Sequence, residues 1–257
     1  MELASYARHP GLKDKVIFIT GGGSGIGAAV VESFVDQGSK VAFIDIDEAS
    51  GHALCDQLQA QYGIRPLFMP CDIRNLDLLH KTIAETAATL GPVDVLVNNA
   101  ANDTRHDWRE VTPDYWDDRM ALNLRPMFFA IQAVAPAMQR KGSGSIINFG
   151  SISWMKATPG MPAYTTAKAA IHGLTRSFAR DLGREGIRVN TVVPGWVMTD
   201  RQLKLWVNED GEREIDTNQC LKGRVMPVDL ARMVLFLASK ESEMCTGQEF
   251  IVDGGWV

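Results

Sequence analysis

The sequence has no run of basic residues and no alternation of basic with aromatic side chains, which argues against a nucleic-acid partner. It has no apolar stretch near the roughly 18 residues of a membrane helix. The opening "MELASYARHPGLKDK" lacks the apolar centre of a signal peptide, so a cytoplasmic protein without membrane contact is expected. Cysteine is scarce and scattered. Cys55, Cys71, Cys220 and Cys245 form no CxxC pair, which argues against a zinc site or a disulfide framework and for a reducing compartment. No ligand cluster is visible, so no metal is expected. No Pro/Gly/Ser linker, repeat or low-complexity segment divides the 257 residues, which read as one domain.

What is there points to a globular α/β protein. Apolar residues make up 46% of the chain, and net charge is −5. The 23 glycines sit in clusters, a sign of backbone used close to something. Short β-branched runs at 15–20, 40–45, 65–70, 93–98, 144–149, 187–193 and 249–254 alternate with segments of helical spacing. That alternation predicts a parallel sheet, and the nearly continuous apolar strands predict cover on both faces, a doubly wound fold. Thr112-Pro113 reads as a helix start, and the helix should run through "YWDDRMALNLRPMFFAIQAV". Pro126 inside it cannot donate to the Leu122 carbonyl, which predicts a kink near Asn123. Residues 199–223 are polar and break the alternation, and read as an excursion over an active-site face.

The stretch "VIFITGGGSGIGAAVVESF" places Gly21, Gly25 and Gly27 between a strand and a helix. In that context the glycines let backbone N–H groups and a helix N-terminus face a pyrophosphate. Asp45 ends the second strand, eighteen residues after Gly27. A carboxylate there can accept from both adenosine-ribose hydroxyls and would repel a 2′-phosphate. No lysine or arginine follows in "IDEAS", so NAD is favoured and NADP less so. Asp72 could bind the adenine amino group or cap a helix.

"AYTTAKAA" puts Tyr164 and Lys168 four apart on one helical face, with Ser151 thirteen residues earlier. A proton acceptor for a carbinol hydroxyl needs a phenolate, and a nearby ammonium lowers a tyrosine's pKa from its usual ~10. Ser151 could donate to the substrate oxygen.

With these pieces in order, together with "NNA" (98–100), Asn123, "PG" (194–195), Thr199 and a terminal "DGG", the chain resembles the short-chain dehydrogenase/reductase family over essentially its whole length. The resemblance implies a single Rossmann-like domain with about seven parallel strands, and often a homotetramer. It implies catalytic roles for Asn123, Ser151, Tyr164 and Lys168. It places Gly21, Ser24, Gly25, Ile26, Gly27, Asp45, Asp72, Ile73, Asn98, Ala100, Tyr164, Lys168, Pro194, Gly195, Val197 and Thr199 at the cofactor. Asn123 would hold a water joining Lys168 to solvent. The family usually reads NNAG. Here Ala101 takes the glycine's place, and would be strained if φ were positive there.

The substrate follows from the loops. Asn102, Asp103, Arg105, His106, Asn148 and Trp154 lie next to the catalytic positions, with Gln219 and 222–224 further on. A polyhydroxylated substrate needs many directed hydrogen bonds, because each buried unpaired hydroxyl costs roughly 1–3 kcal/mol. Asn102, Asn148, Ser151, Trp154 and Tyr164 are the candidate substrate residues. Trp154 would stack on a sugar or simply pack, and Asn148 would meet substrate or brace the neighbouring loop. Asp103, Arg105 and His106 would alternatively be solvated loop charges. "NFGSISW" and "QCLKGR" are similar to the bacterial branch that oxidises D-xylose or L-arabinose at C1 to the lactone with NAD or NADP. Competing readings are a dehydrogenase of another sugar or keto-deoxy sugar acid (the L-fucose and L-rhamnose type), an oxoacyl-type reductase, and a non-catalytic NAD-binding sensor.

Overall fold

A computed structural model describes residues 7–257. Seven strands form one parallel sheet: β1 (Val16–Thr20), β2 (Lys40–Asp45), β3 (Leu67–Pro70), β4 (Val95–Asn98), β5 (Gly144–Phe149), β6 (Ile187–Pro194) and β7 (Glu249–Val252). Their spatial order is β3-β2-β1-β4-β5-β6-β7. The order reverses between β1 and β4, and in open α/β sheets a ligand crevice opens at the carboxyl ends beside such a reversal. The helices are α1 (Gly25–Asp36), α2 (Glu48–Tyr62), α3 (Leu76–Leu90), α4 (Pro113–Asn123), α5 (Arg125–Lys141), α6 (Pro162–Leu182), α7 (Asp200–Leu205), α8 (Glu209–Asn218) and α9 (Pro227–Ala238). All seven expected strands are present, with ends shifted by at most two residues.

The strands are apolar on both sides because both sides are covered. Ile17, Ile19, Val95, Val97, Ile147 and Val192 pack with Phe34 of α1 and Leu230 and Val234 of α9. Phe18, Leu96, Ile146 and Val189 face the other way, against Leu79 of α3, Ile131 and Val134 of α5 and Leu182 of α6. Period-2 alternation therefore assigns neighbouring strand residues to two cores rather than to core and solvent.

The expected kink is a full break. Leu124 (φ −134°, ψ −56°) separates α4 from α5, and Pro126 sits in the first turn of α5, where its missing N–H costs nothing. Thr112 caps α4 by accepting from Tyr115 N–H at 3.2 Å. The polar excursion folds into the two short helices α7 and α8.

Strand register sets the site. Thr20, Asn98, Asn148 and Thr191 lie side by side across β1, β4, β5 and β6. These buried polar ends are satisfied by one another, by α6 and by the loop after β4, whose Asn99 and Ala100 N–H groups donate to the Thr20 hydroxyl. Asn98 Nδ2 donates to Asn148 Oδ1 at 2.9 Å, and Asn148 Nδ2 to Thr175 Oγ1 at 3.0 Å. Thr175 and Thr191 hydroxyls are bonded at 2.8 Å. The row makes a firm floor under the loops that follow.

Candidate active site

A cavity of about 930 Å³ opens above this floor, running from Asp45 and Asp72 past the glycine loop to Tyr164 and Trp256. At one end the chain itself is the wall. Gly21 and Gly25 have left-handed φ (66° and 53°), which glycine adopts without a Cβ penalty. A Cβ on Gly27 would lie 1.8 Å from the Gly21 carbonyl oxygen, so only glycine lets α1 start this close to β1. Ser24 precedes α1 but makes no side-chain cap, leaving the first-turn N–H groups of the helix open beside the cavity. Ser24, Ile26, Ala100, Pro194, Gly195, Val197 and Thr199 line the same wall.

Asp45 ends β2 and lines the cavity. Its Oδ2 accepts from Gly23 N–H at 2.8 Å and its Oδ1 from Asp47 N–H at 3.0 Å, so it also ties the glycine loop to β2. Ile73 lines the wall. Asp72 does too, but its carboxylate is held by Arg74, with Nη2–Oδ2 at 2.6 Å and Nε at 3.0 Å from both oxygens. Arg74 holds the Asp72 carboxyl below its usual range. The helix-cap alternative belongs to Asn75, which accepts from Leu78 N–H at 3.0 Å.

Two expected site residues belong to the floor instead. The Asn98 side chain is buried and bonded to Asn148, because Asn98 still belongs to the strand and its partner stands opposite in register. The neighbouring Asn99 lines the cavity, and its Nδ2 donates to the Gly21 carbonyl at 2.8 Å, clamping the glycine loop. Asn148 is fully buried and braces α6 through Thr175, so its place among the substrate residues is withdrawn in favour of the bracing alternative. Trp154 is also corrected. Its Nε1–H donates to His172 Nε2 at 3.1 Å, and the two rings meet edge to face outside the cavity.

At the far end Ser151, Tyr164 and Lys168 come together at the cavity wall. Tyr164 and Lys168 are one turn apart on α6, with Nζ 5.6 Å from the phenol ring centroid. Lys168 donates to the Phe149 carbonyl at 2.8 Å. Ser151 Oγ accepts from Ser153 N–H at 3.1 Å and hydrogen-bonds the Tyr164 phenol. Burial pushes the phenol well above its ordinary pKa. The Asp103 charge adds to this, and the Ser151 bond opposes it. Burial also pushes Lys168 down to about 7, with Asp103 opposing. For both groups burial is the largest influence, and it disfavours the charged form of each.

Asn123, the last residue of α4, is fully buried. Its Oδ1 accepts from Asn102 N–H at 2.8 Å, while its Nδ2 has no protein partner. Asn102 lines the cavity. Its side-chain oxygen accepts from Thr104 N–H at 2.8 Å and from the Thr104 hydroxyl, which fixes the loop. Ala101 does not have a positive φ; Asp14 and Ala157 are the non-glycine residues that do, among the described residues. Alanine is thus unstrained in the usual glycine's place.

The sequence reading missed several wall residues. Trp196 and Trp256 face each other with centroids 6.2 Å apart, and Lys156, Glu214 and Gln202 stand around them. Both tryptophans follow glycines, "PGW" and "DGGW", which is the one signal that could have found them. Among the described residues no group of His, Cys, Asp or Glu gathers as a metal site, and all four cysteines are free.

A doubly wound sheet, a glycine turn at its reversal point and a serine–tyrosine–lysine group on one cavity define a nicotinamide-dependent oxidoreductase acting on CH–OH groups. The chain matches the family model described as enoyl-(acyl carrier protein) reductase over residues 21–257, and it belongs to the short-chain dehydrogenase/reductase family. It is 50% identical to D-xylose 1-dehydrogenase of Caulobacter vibrioides over 252 residues, 98% of this chain and 99% of that one. It is 48% identical to the probable galactose dehydrogenase GalD of Rhizobium meliloti over 249 residues, 97% of each. Among solved structures, a 7α-hydroxysteroid dehydrogenase complexed with NADH and 7-oxo glycochenodeoxycholic acid superposes with TM-score 0.91 at 31% identity, covering 96% of this chain and 97% of the other.

Proposed function

We propose that this protein oxidises an aldose at C1 to its lactone with NAD. The observation that carries the reading is the cavity itself, with the serine–tyrosine–lysine group at one end and two tryptophans and a ring of polar side chains beyond it. The names of the xylose and galactose dehydrogenase relatives support a sugar. Bound at the glycine loop, the nicotinamide cofactor supplies the hydride acceptor. Its fit rests on the open first turn of α1, on Gly27 and on Asp45. Asp45 favours NAD, since its carboxylate would repel a ribose phosphate and the nearby Arg74 is held by Asp72 and Asp118.

The anomeric hydroxyl sits between Ser151 and Tyr164. Ser151 holds O1, and deprotonated Tyr164 takes the O1 proton as C1 gives up its hydride. Lys168 and a water held by Asn123 then carry that proton toward solvent. The free, buried Cys55 and Cys71 fit a reducing cytoplasm. Assembly as a homotetramer is part of this reading and rests on the family to which the chain belongs.

The test mixes the protein with NAD or NADP and a panel of pentoses, hexoses and deoxyhexoses. Turnover is expected with at least one aldose and faster with NAD. No turnover on any aldose sinks the reading. Because the tyrosine must lose its proton and burial raises its pKa, kcat/KM should climb with pH above neutrality. Tyr164→Phe should lower kcat by roughly 10²–10⁴-fold.

A further inference from the structure

Besides Lys168, three cations line the cavity beyond Tyr164, and two of them are paired with a carboxylate. Lys156 Nζ lies 3.0 Å from Glu214 Oε1 and 4.0 Å from the Trp256 ring centroid. Arg201 Nε lies 3.3 Å from Asp103 Oδ1. The Arg105 guanidinium rests over Trp206, 4.2 Å from its centroid. Asp103 is held in turn. Gln202 Nε2 donates to its other oxygen at 2.8 Å, and Gln202 Oε1 accepts from the Trp196 N–H at 3.0 Å. The chain Trp196–Gln202–Asp103–Arg201 thus ties the loop after β4 to α7, across the mouth of the cavity.

An unpaired guanidinium or ammonium in such a place would draw in carboxylates and phosphates, which bind these groups by charge-assisted hydrogen bonds. Here Arg105 rests on the Trp206 face and Asp200 adds a third lining carboxylate, so with the two ion pairs the charges balance, and each pair adds a carboxylate that repels an incoming anion. Resting on the aldose reading above, we propose that Asp103 and Glu214 are specificity-determining residues: they neutralise Arg201 and Lys156, so that the cavity takes uncharged sugars and turns away acidic or phosphorylated ones. The molecule therefore holds a latent anion site that removal of one carboxylate uncovers. Asp103 matters more, because its carboxylate is held by both Arg201 and Gln202, whereas the Glu214 carboxylate meets Lys156 alone.

The test compares D-galactose with D-galacturonate, which keeps the same C1 hydroxyl and ring configuration but carries a carboxylate at C6. D-xylose serves as a neutral reference. In the wild type, kcat/KM should favour galactose over galacturonate by about 100-fold or more. Asp103→Asn keeps the shape and the Gln202 bond, and should narrow that ratio at least about tenfold, mainly through a lower KM for the uronate. Glu214→Gln should narrow it about threefold. Adding Arg201→Gln to Asp103→Asn should restore the discrimination. A merely structural role would weaken both sugars alike and leave the ratio untouched. A wild-type ratio near one, or a ratio unchanged in Asp103→Asn, overturns the inference. If Asp103→Asn does not fold, an unchanged ratio in Glu214→Gln overturns it. A wild type that oxidises D-xylose but keeps its ratio in the variants defeats this inference alone. A wild type that oxidises no neutral aldose defeats the aldose reading, and this inference with it.

Discussion

The two ends of the cavity are built by opposite means. At the glycine loop the wall is backbone: Gly21, Gly25 and Gly27 bring α1 against β1, and Asn99 and Asp45 clamp the turn from either side. Beyond Tyr164 the wall is side chain, delivered by segments far apart in sequence. Trp196 follows β6 and Trp256 follows β7, and they meet because Pro194 pairs with Val252. A backbone wall tolerates almost no change and serves a ligand that does not vary. A side-chain wall can be rewritten residue by residue, which is how one fold hosts many substrates.

The sharpest way to break this contrast is to put a side chain where the backbone does the work. Gly27→Val would drive its Cβ into the Gly21 carbonyl. Overpacking of this kind costs roughly 3 kcal/mol, or more where backbone must shift. Thermal unfolding should show a drop of about 6 °C or more for a chain of this size. NAD binding, followed by calorimetry, should fall below detection. A variant that binds NAD normally would show that the loop has slack which the geometry denies.

The complementary change is Trp196→Ala at the other end. It removes one tryptophan face and the N–H that fixes Gln202. KM for the aldose should rise about tenfold, which is about 1.4 kcal/mol, while KM for NAD stays within about twofold. Trp154→Phe is the control. It loses the bond to His172 but no cavity wall, so the sugar KM should move less than about threefold. If Trp154→Phe shifts the sugar KM as strongly as Trp196→Ala, the assignment of the two tryptophans is reversed.

The same contrast explains what could be read from the sequence. Gly27, Tyr164 and Lys168 were legible because the physics that demands them is local: a strand–turn–helix junction and a one-turn helical spacing. The strands were legible because two buried faces leave an apolar run. Asn148 and Trp154 misled because closeness to Ser151 along the chain does not decide which way a side chain points. Asn148 sits on a strand whose register hands it to Asn98 and Thr175. Trp154 is turned away by a histidine on α6. Trp196, Trp256 and the Lys156–Glu214 pair were hidden because only strand pairing and the packing of α8 bring them together.

Lys168 is where the two building styles meet. Its side chain is buried, with one carbonyl as acceptor, and burial lowers its pKa to about 7 from an ordinary 10.5. Below pH 7 both folded and unfolded chains hold the proton, and the folded state bears the full cost of a buried charge. Between pH 7 and 10.5 the unfolded chain binds more protons than the folded one, so stability rises with pH across that window. Lys168→Met removes the charge while keeping most of the volume. It should therefore be inactive yet more stable than the wild type by about 1–2 kcal/mol at pH 6, with the margin shrinking toward pH 10. Denaturant titrations at pH 6, 8 and 10 measure this directly. A margin that is flat with pH, or that grows with it, would mean that Lys168 is compensated in the folded chain and is no burden on its stability.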